Sequence, residues 1–157
     1  MRLEPLYRCT FAPTERWSVK LDGAGGTERQ GFLLVEGQAD GRLSGRLRGA
    51  NAPRQRTDGT QTPDVRGVIE TDDGATVFFS WHGYGIAGGD PGQLLGSITH
   101  LSDDPNYVWL NQALCVLAGE VRPHEAGHFE VVLEVSQLVW EPRFGREDGG
   151  TALAARV

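Results

Sequence analysis

Apolar residues in this chain come in short runs that alternate with polar positions, and helical spacing is rare. That pattern predicts many strands separated by frequent turns. Leu3 to Phe11 reads as a first strand, stopped by Ala12-Pro13-Thr14. Trp17 to Leu21 continues it before Gly23-Ala24-Gly25-Gly26 breaks the chain. Gln30 to Glu36 is a second strand with a solid apolar middle, Phe32-Leu33-Leu34-Val35. Leu43 to Arg48 alternates cleanly, with Leu43, Gly45 and Leu47 on one face and Ser44, Arg46 and Arg48 on the other. Ala50 to Thr62 reads as a polar loop. Beyond the central hairpin described below, Gly83 to Gly92 is a glycine-rich connection, equally a mobile flap or a surface loop. Gln93 to Leu101, Leu114 to Val121 and His128 to Trp140 are the remaining strands, and the tail 141–157 is expected to be loosely held.

One stretch departs from the strand pattern. Asp103 or Asp104 can cap a helix, Pro105 suits its first position, and Tyr107, Leu110 and Leu114 have helical spacing, so one short helix is expected near residues 104–112. Eight to nine strands with mostly short links suffice to close a single all-β antiparallel barrel, spanning residues 1–157 as one domain. A two-sheet sandwich is the competing architecture. A small barrel of this count either fills its interior or holds one small ligand.

The hairpin Pro63 to Gly85 carries the densest chemistry. If Asp72-Asp73-Gly74 is its loop, Thr71 faces Ala75, Arg66 faces Ser80 and Asp64 faces His82. A two-residue Asp73-Gly74 loop would instead put Asp64 opposite Gly83. A carboxylate beside an imidazole fixes its tautomer and suits proton transfer near neutral pH, so Asp64 and His82 are the candidate catalytic pair. The competing reading is an exposed cross-strand ion pair. Arg66 is placed to polarise a developing oxyanion, with Ser80 beside it. Trp81, Tyr84, Tyr107 and Trp109 are candidate ligand-lining aromatics, against the commoner reading of such residues as core, and Asn111 either binds a ligand carbonyl or satisfies local backbone.

Composition narrows the function classes. The net charge is −6, from 15 basic and 21 acidic side chains, which argues against nucleic acid and anionic membranes as partners. Arg42, Arg46, Arg48, Arg54 and Arg56 crowd into Gly41 to Thr57, an anion site or a solvated edge. Cys9 and Cys115 are too few for a disulfide framework and lack metal-ligand spacing. With no apolar N-terminal stretch and no run of about 18 apolar residues, the expectation is a reduced, cytoplasmic protein. His124-Glu125-Ala126-Gly127-His128 matches the zinc-peptidase string, but Pro123 and Gly127 place it in a hairpin loop rather than on a helix, so no metal is expected. No phosphate-binding glycine loop is present, so no nucleotide cofactor is expected, and neither a serine elbow nor a reactive-cysteine context supports covalent hydrolysis.

In order, GQADGRLSGRLRGANAP, TPDVRGVIETDDGATV and NYVWLN resemble the domain of unknown function 3237 family, an uncharacterised family of bacteria and fungi. Asp64-Val65-Arg66, Thr71-Asp72-Asp73-Gly74-Ala75 and Tyr107-Val108-Trp109-Leu110-Asn111 carry the resemblance, which spans Leu3 to about Trp140. Asn51-Ala52-Pro53 stands where members often carry Asp-Trp. The resemblance implies a calycin-like antiparallel barrel and little about chemistry. The resulting expectation is a cofactor-free isomerase, cyclase or lyase acting on a hydrophobic or aromatic metabolite, in keeping with secondary metabolism. The alternatives are a non-catalytic carrier or sensor of such a molecule and a solid barrel that binds protein partners, with self-association through an exposed barrel face left open.

Overall fold

The computed structural model describes residues 1–86 and 92–141. Half of the expected flap, residues 87–91, and all of the expected loose tail beyond Glu141 lie outside the described residues. Ten strands form one antiparallel sheet: β1 (Arg2–Gly23), β2 (Gly26–Gly41), β3 (Gly45–Asn51), β4 (Arg54–Gln55), β5 (Gln61–Thr62), β6 (Asp64–Thr71), β7 (Thr76–Ile86), β8 (Gly92–Leu101), β9 (Cys115–Pro123) and β10 (Phe129–Val139). Eight of them close a ring in the order β1-β2-β3-β6-β7-β8-β9-β10 and back to β1. The small β4–β5 hairpin bridges β2 to β7 beyond the ends of β3 and β6. The barrel expected from the strand count is therefore the architecture. Closure pairs every stave on both sides, which removes the sheet edges a sandwich would leave.

Two boundaries differ from the sequence reading. Ala12-Pro13-Thr14 does not stop β1, because the register slips between Pro13 and Glu15 and the bulge absorbs a residue with no N–H to give. The polar loop Ala50 to Thr62 contains the two-residue strands β4 and β5. The helix near 104–112 is a 3-10 turn at Val108–Gln112, whose Leu110 is buried and plugs one end of the barrel.

Alternation sorts the side chains. Tyr7, Cys9, Phe11, Val35, Val65, Phe79, Trp81, Ile98, Leu133 and Val135 point inward and leave a gap of only about 10 Å³ between them. That is about one water-sized sphere, so the middle of the barrel is solid. The outer wall is charged, with cross-strand pairs Arg46–Glu36 and Arg48–Glu70 both at 2.9 Å. A lipid-facing barrel has the inverse arrangement. No described helix is long and apolar enough to cross a membrane.

Candidate functional site

The β6–β7 turn has the three-residue loop. Thr71 N–H donates to Ala75 O (2.9 Å), Gly74 takes φ 91°, and Asp64 lies opposite His82 and Arg66 opposite Ser80. The His82 Nδ1 to Asp64 Oδ1 distance is 3.4 Å, without hydrogen-bond geometry, and Ser80 Oγ lies 3.4 Å from His82 Nε2. The structure therefore brings Asp64, Ser80 and His82 together. It brings them together on the outer wall, where the His82 and Asp64 side chains are 58% and 47% exposed. A shallow open groove there is lined by Asp64, His82, Tyr84, Ser97, Thr62 and Arg54. Arg66 is exposed on the same wall.

Trp81 does not join them. It follows Ser80 and precedes His82 on one strand, so it projects to the opposite face and is 2% exposed in the interior. Tyr107, Trp109 and Asn111 lie at the plugged end. Tyr107 donates its hydroxyl to both carboxylate oxygens of Asp73 (3.0 Å each), and the Trp109 ring sits under the Arg42 guanidinium (4.7 Å) and donates Nε1–H to Asn106 O. Asn111 accepts from Ser102 N–H (2.8 Å) and donates to Ser102 O (2.9 Å). All three hold the 3-10 turn against neighbouring turns. The arginine run is likewise engaged: Arg46, Arg48, Arg54 and Arg56 pair with Glu36, Glu70, Glu28 and Asp58.

The concave site lies at the other end of the barrel. A cavity of about 330 Å³ is lined by Phe11, Leu33, Val35, Asn51, Pro53, Gln61, Pro63, Trp81, Leu94, Val121, Phe129 and Val131. Phe11, Val35 and Trp81 also line the small central gap, so they form the floor of a cup whose rim is the β3–β4 connection, β5 and the β9–β10 hairpin. Its size falls at the lower end of small-molecule pockets, ~300–1,000 Å³. Two amides interrupt the apolar lining. Asn51 Oδ1 accepts the Asp64 N–H (3.2 Å), which fixes the side chain and leaves its NH2 group to donate. Gln61 supplies the second amide, and among the described residues no ionisable side chain lines the cup.

Sequence reasoning found Trp81 but missed the rest of this lining. The signal was present in the parity of β2, where Leu33 and Val35 share the inward row, and in the two prolines flanking the loop. Beside the cup, His124 and His128 lie in a hairpin containing the 3-10 turn Glu125–Gly127, with Ala126 at φ 58°. His124 Nε2 is 3.5 Å from Glu130 Oε1. The string is thus carried on a turn, not on the helix that zinc-peptidase chemistry requires.

Deeper in the core, Tyr7 Oη and His100 Nε2 are 2.8 Å apart, and His100 Nδ1 has no hydrogen-bond partner. Burial pushes the His100 pKa down to about 4, raises that of Tyr7 and pushes the Cys9 thiol up to about 12. These groups are neutral near pH 7 and closed off from the cup.

Solved structures share this architecture. The chain is similar to a beta-barrel like protein from Acinetobacter baumannii (24% identity, TM-score 0.69, covering 87% of this chain and 94% of that one). It is similar to a protein with unknown function from Clostridium acetobutylicum (19%, TM-score 0.75, covering 88% and 100%). It is also similar to a structure described as an enzyme from Penicillium herquei (18%, TM-score 0.58, covering 85% and 93%). At these identities the likeness concerns the fold. No curated protein matches the chain. The sequence pattern of the protein of unknown function family DUF3237 matches residues 1–138, so the chain belongs to that family.

Proposed function

We propose that this protein binds an apolar small molecule in the cup at the open end of the barrel. The observation that carries the reading is the lining: a solid floor of Phe11, Val35 and Trp81, apolar walls, and two amides at Asn51 and Gln61. Burying a hydrocarbon or aromatic body there is driven by apolar area, at ~25 cal/mol per Å². The Asn51 NH2 group selects a ligand with a carbonyl, ether or hydroxyl oxygen near its outer end, because an unpaired amide facing apolar surface is costly.

Titration with anilinonaphthalene sulfonate, an apolar fluorescent probe, tests this. Saturable binding with one probe per chain is expected. Leu94→Phe and Val121→Phe, which shrink the cup, should each weaken it about tenfold while the unfolding transition persists. Binding that is unchanged in both variants would remove the cup from consideration.

A second reading adds catalysis. Asp64 and His82 meet at 3.4 Å in an open groove, and the Penicillium herquei neighbour is described as an enzyme. In this reading the pair moves a proton in a cofactor-free isomerisation or cyclisation on the outer wall, with Arg66 near the developing charge. The double change Asp64→Asn with His82→Ala separates the two readings. It should leave probe binding intact and abolish turnover of any compound the protein transforms. Turnover that survives the double change would end the acid–base assignment.

A further inference from the structure

β1 and β2 continue together past the barrel as an arm, braced on its β2 side where Arg29 and Gln30 pair with β4. β10 pairs with β1 only as far as Phe11, whereas β2 pairs with it out to Gly23. Arg16 donates to Gly127 O (3.0 Å), so the β9–β10 turn flanks the base of the arm. Among the described residues, no strand lies beside the outer edge of β1 from Trp17 to Gly23. Trp17, Val19 and Leu21 alternate on one face of that same strand and are 53%, 62% and 63% exposed. Phe32, opposite Trp17 with ring centroids 6.0 Å apart, extends the stripe, while the next β2 positions on that face are Gln30 and Glu28. The apolar side chains thus sit on the strand with the open edge, and the polar ones sit on the strand away from it. An exposed, alternating, apolar edge strand is a template for another strand, and protein chains normally blunt such edges.

We propose that this edge pairs antiparallel with the same edge of a second copy of the chain, about a two-fold axis at Val19. An isologous pairing with the axis normal to the sheet must place a residue opposite its own copy, which leaves few registers. Centring on Ser18 sets Arg16 against Lys20 of the other copy, and centring on Lys20 sets two lysines face to face; both are repulsive. Centring on Val19 sets Arg16 against Asp22 twice and Ser18 against Lys20, and it brings Trp17 against Leu21 and Val19 against Val19 on the apolar face. Centring on Leu21 also opposes Lys20 and Asp22 but sets Trp17 against Gly25 in the turn, so only the Val19 register combines charge complementarity with apolar pairs along the whole stripe. It sets the stripe in the middle of the joined sheet, between apolar cross-strand neighbours.

Sedimentation equilibrium of the full chain over a range of concentrations tests the proposal. A reversible monomer–dimer equilibrium is expected. Val19→Lys, which opposes two ammonium groups at the axis, should shift it to monomer with the circular dichroism unchanged. Arg16→Asp and Asp22→Arg should each weaken the dimer about tenfold, and the two together should restore it. Three results would overturn the proposal: a monomer at every concentration, a dimer indifferent to Val19→Lys, or a double exchange that fails to restore association. A monomer that co-sediments with vesicles of anionic phospholipid would assign the stripe to a membrane surface instead.

Discussion

His100 is a buried titratable residue whose effect on stability can be worked out from sign alone. Folded, it stays neutral because burial holds its pKa near 4, and its ring is tied to the Tyr7 hydroxyl at 2.8 Å. Unfolded, it returns to about 6.5. Below that value the unfolded chain takes up a proton that the folded chain refuses, so stability falls as pH drops from about 6.5 to about 4 and then levels off. The total loss is about 3 kcal/mol. Urea unfolding at a series of pH values should show it, and His100→Gln should flatten the slope in that window. A wild-type slope that survives the substitution would place the linkage elsewhere. Sequence reading passed over His100 because one histidine in an alternating strand carries no signal until the inward parity of Ile98 is known. Of the two hairpin registers it left open, the structure takes the one that sets Asp64 opposite His82, with Gly74 at positive φ closing a three-residue loop. Sequence reading grouped Trp81 with His82, although neighbours on a strand cannot share a face.

The elements were legible where local chemistry decides and illegible where distant contacts do. Alternation predicted most of the staves, but the length of β1 depends on a bulge between Pro13 and Glu15 that only pairing with β2 reveals. Tyr-x-Trp-Leu-Asn announced a helical turn near 104–112, yet gave no sign that its side chains face neighbouring turns rather than a ligand. Asn111 makes the point. Its amide reproduces a backbone pair with Ser102, closing the chain reversal that lets Leu110 plug the barrel. Asn111→Ala should cost about 1–2 kcal/mol of stability, from two lost hydrogen bonds to main-chain groups. It should also leave probe affinity at the cup unchanged, because the two sites lie at opposite ends of the barrel. Calorimetric melting and a probe titration on one preparation check both halves. A weakened affinity with an unchanged melting temperature would return Asn111 to the binding site.

At the scale of the molecule, the chain divides into a ring and an arm whose stabilities must differ. Every stave of the ring has two neighbours and contributes to one core, so no stave can open alone without creating two unpaired edges. Closure depends on β1 meeting β10, with Arg2 opposite Val139, a contact between the two ends of the described chain. Ring amides therefore exchange with solvent only when the whole barrel opens. The arm has no such constraint: from Trp17 to Gly23 it is held by β2 alone, and its side chains are exposed. Hydrogen exchange at low protein concentration should show inward staves such as β7 and β10 protected to the full unfolding free energy. Residues 17–23 and 26–28 should exchange orders of magnitude faster through local opening. Raising the concentration should then slow exchange along 17–23, where β1 acquires a neighbour, and leave the ring unchanged. Protection of the arm equal to that of the ring at every concentration would mean the hairpin has a partner within its own chain. Concentration-dependent protection of the ring would place the contact between copies on the barrel wall. The arm is thus the part of the molecule in which folding and association are read by the same amides.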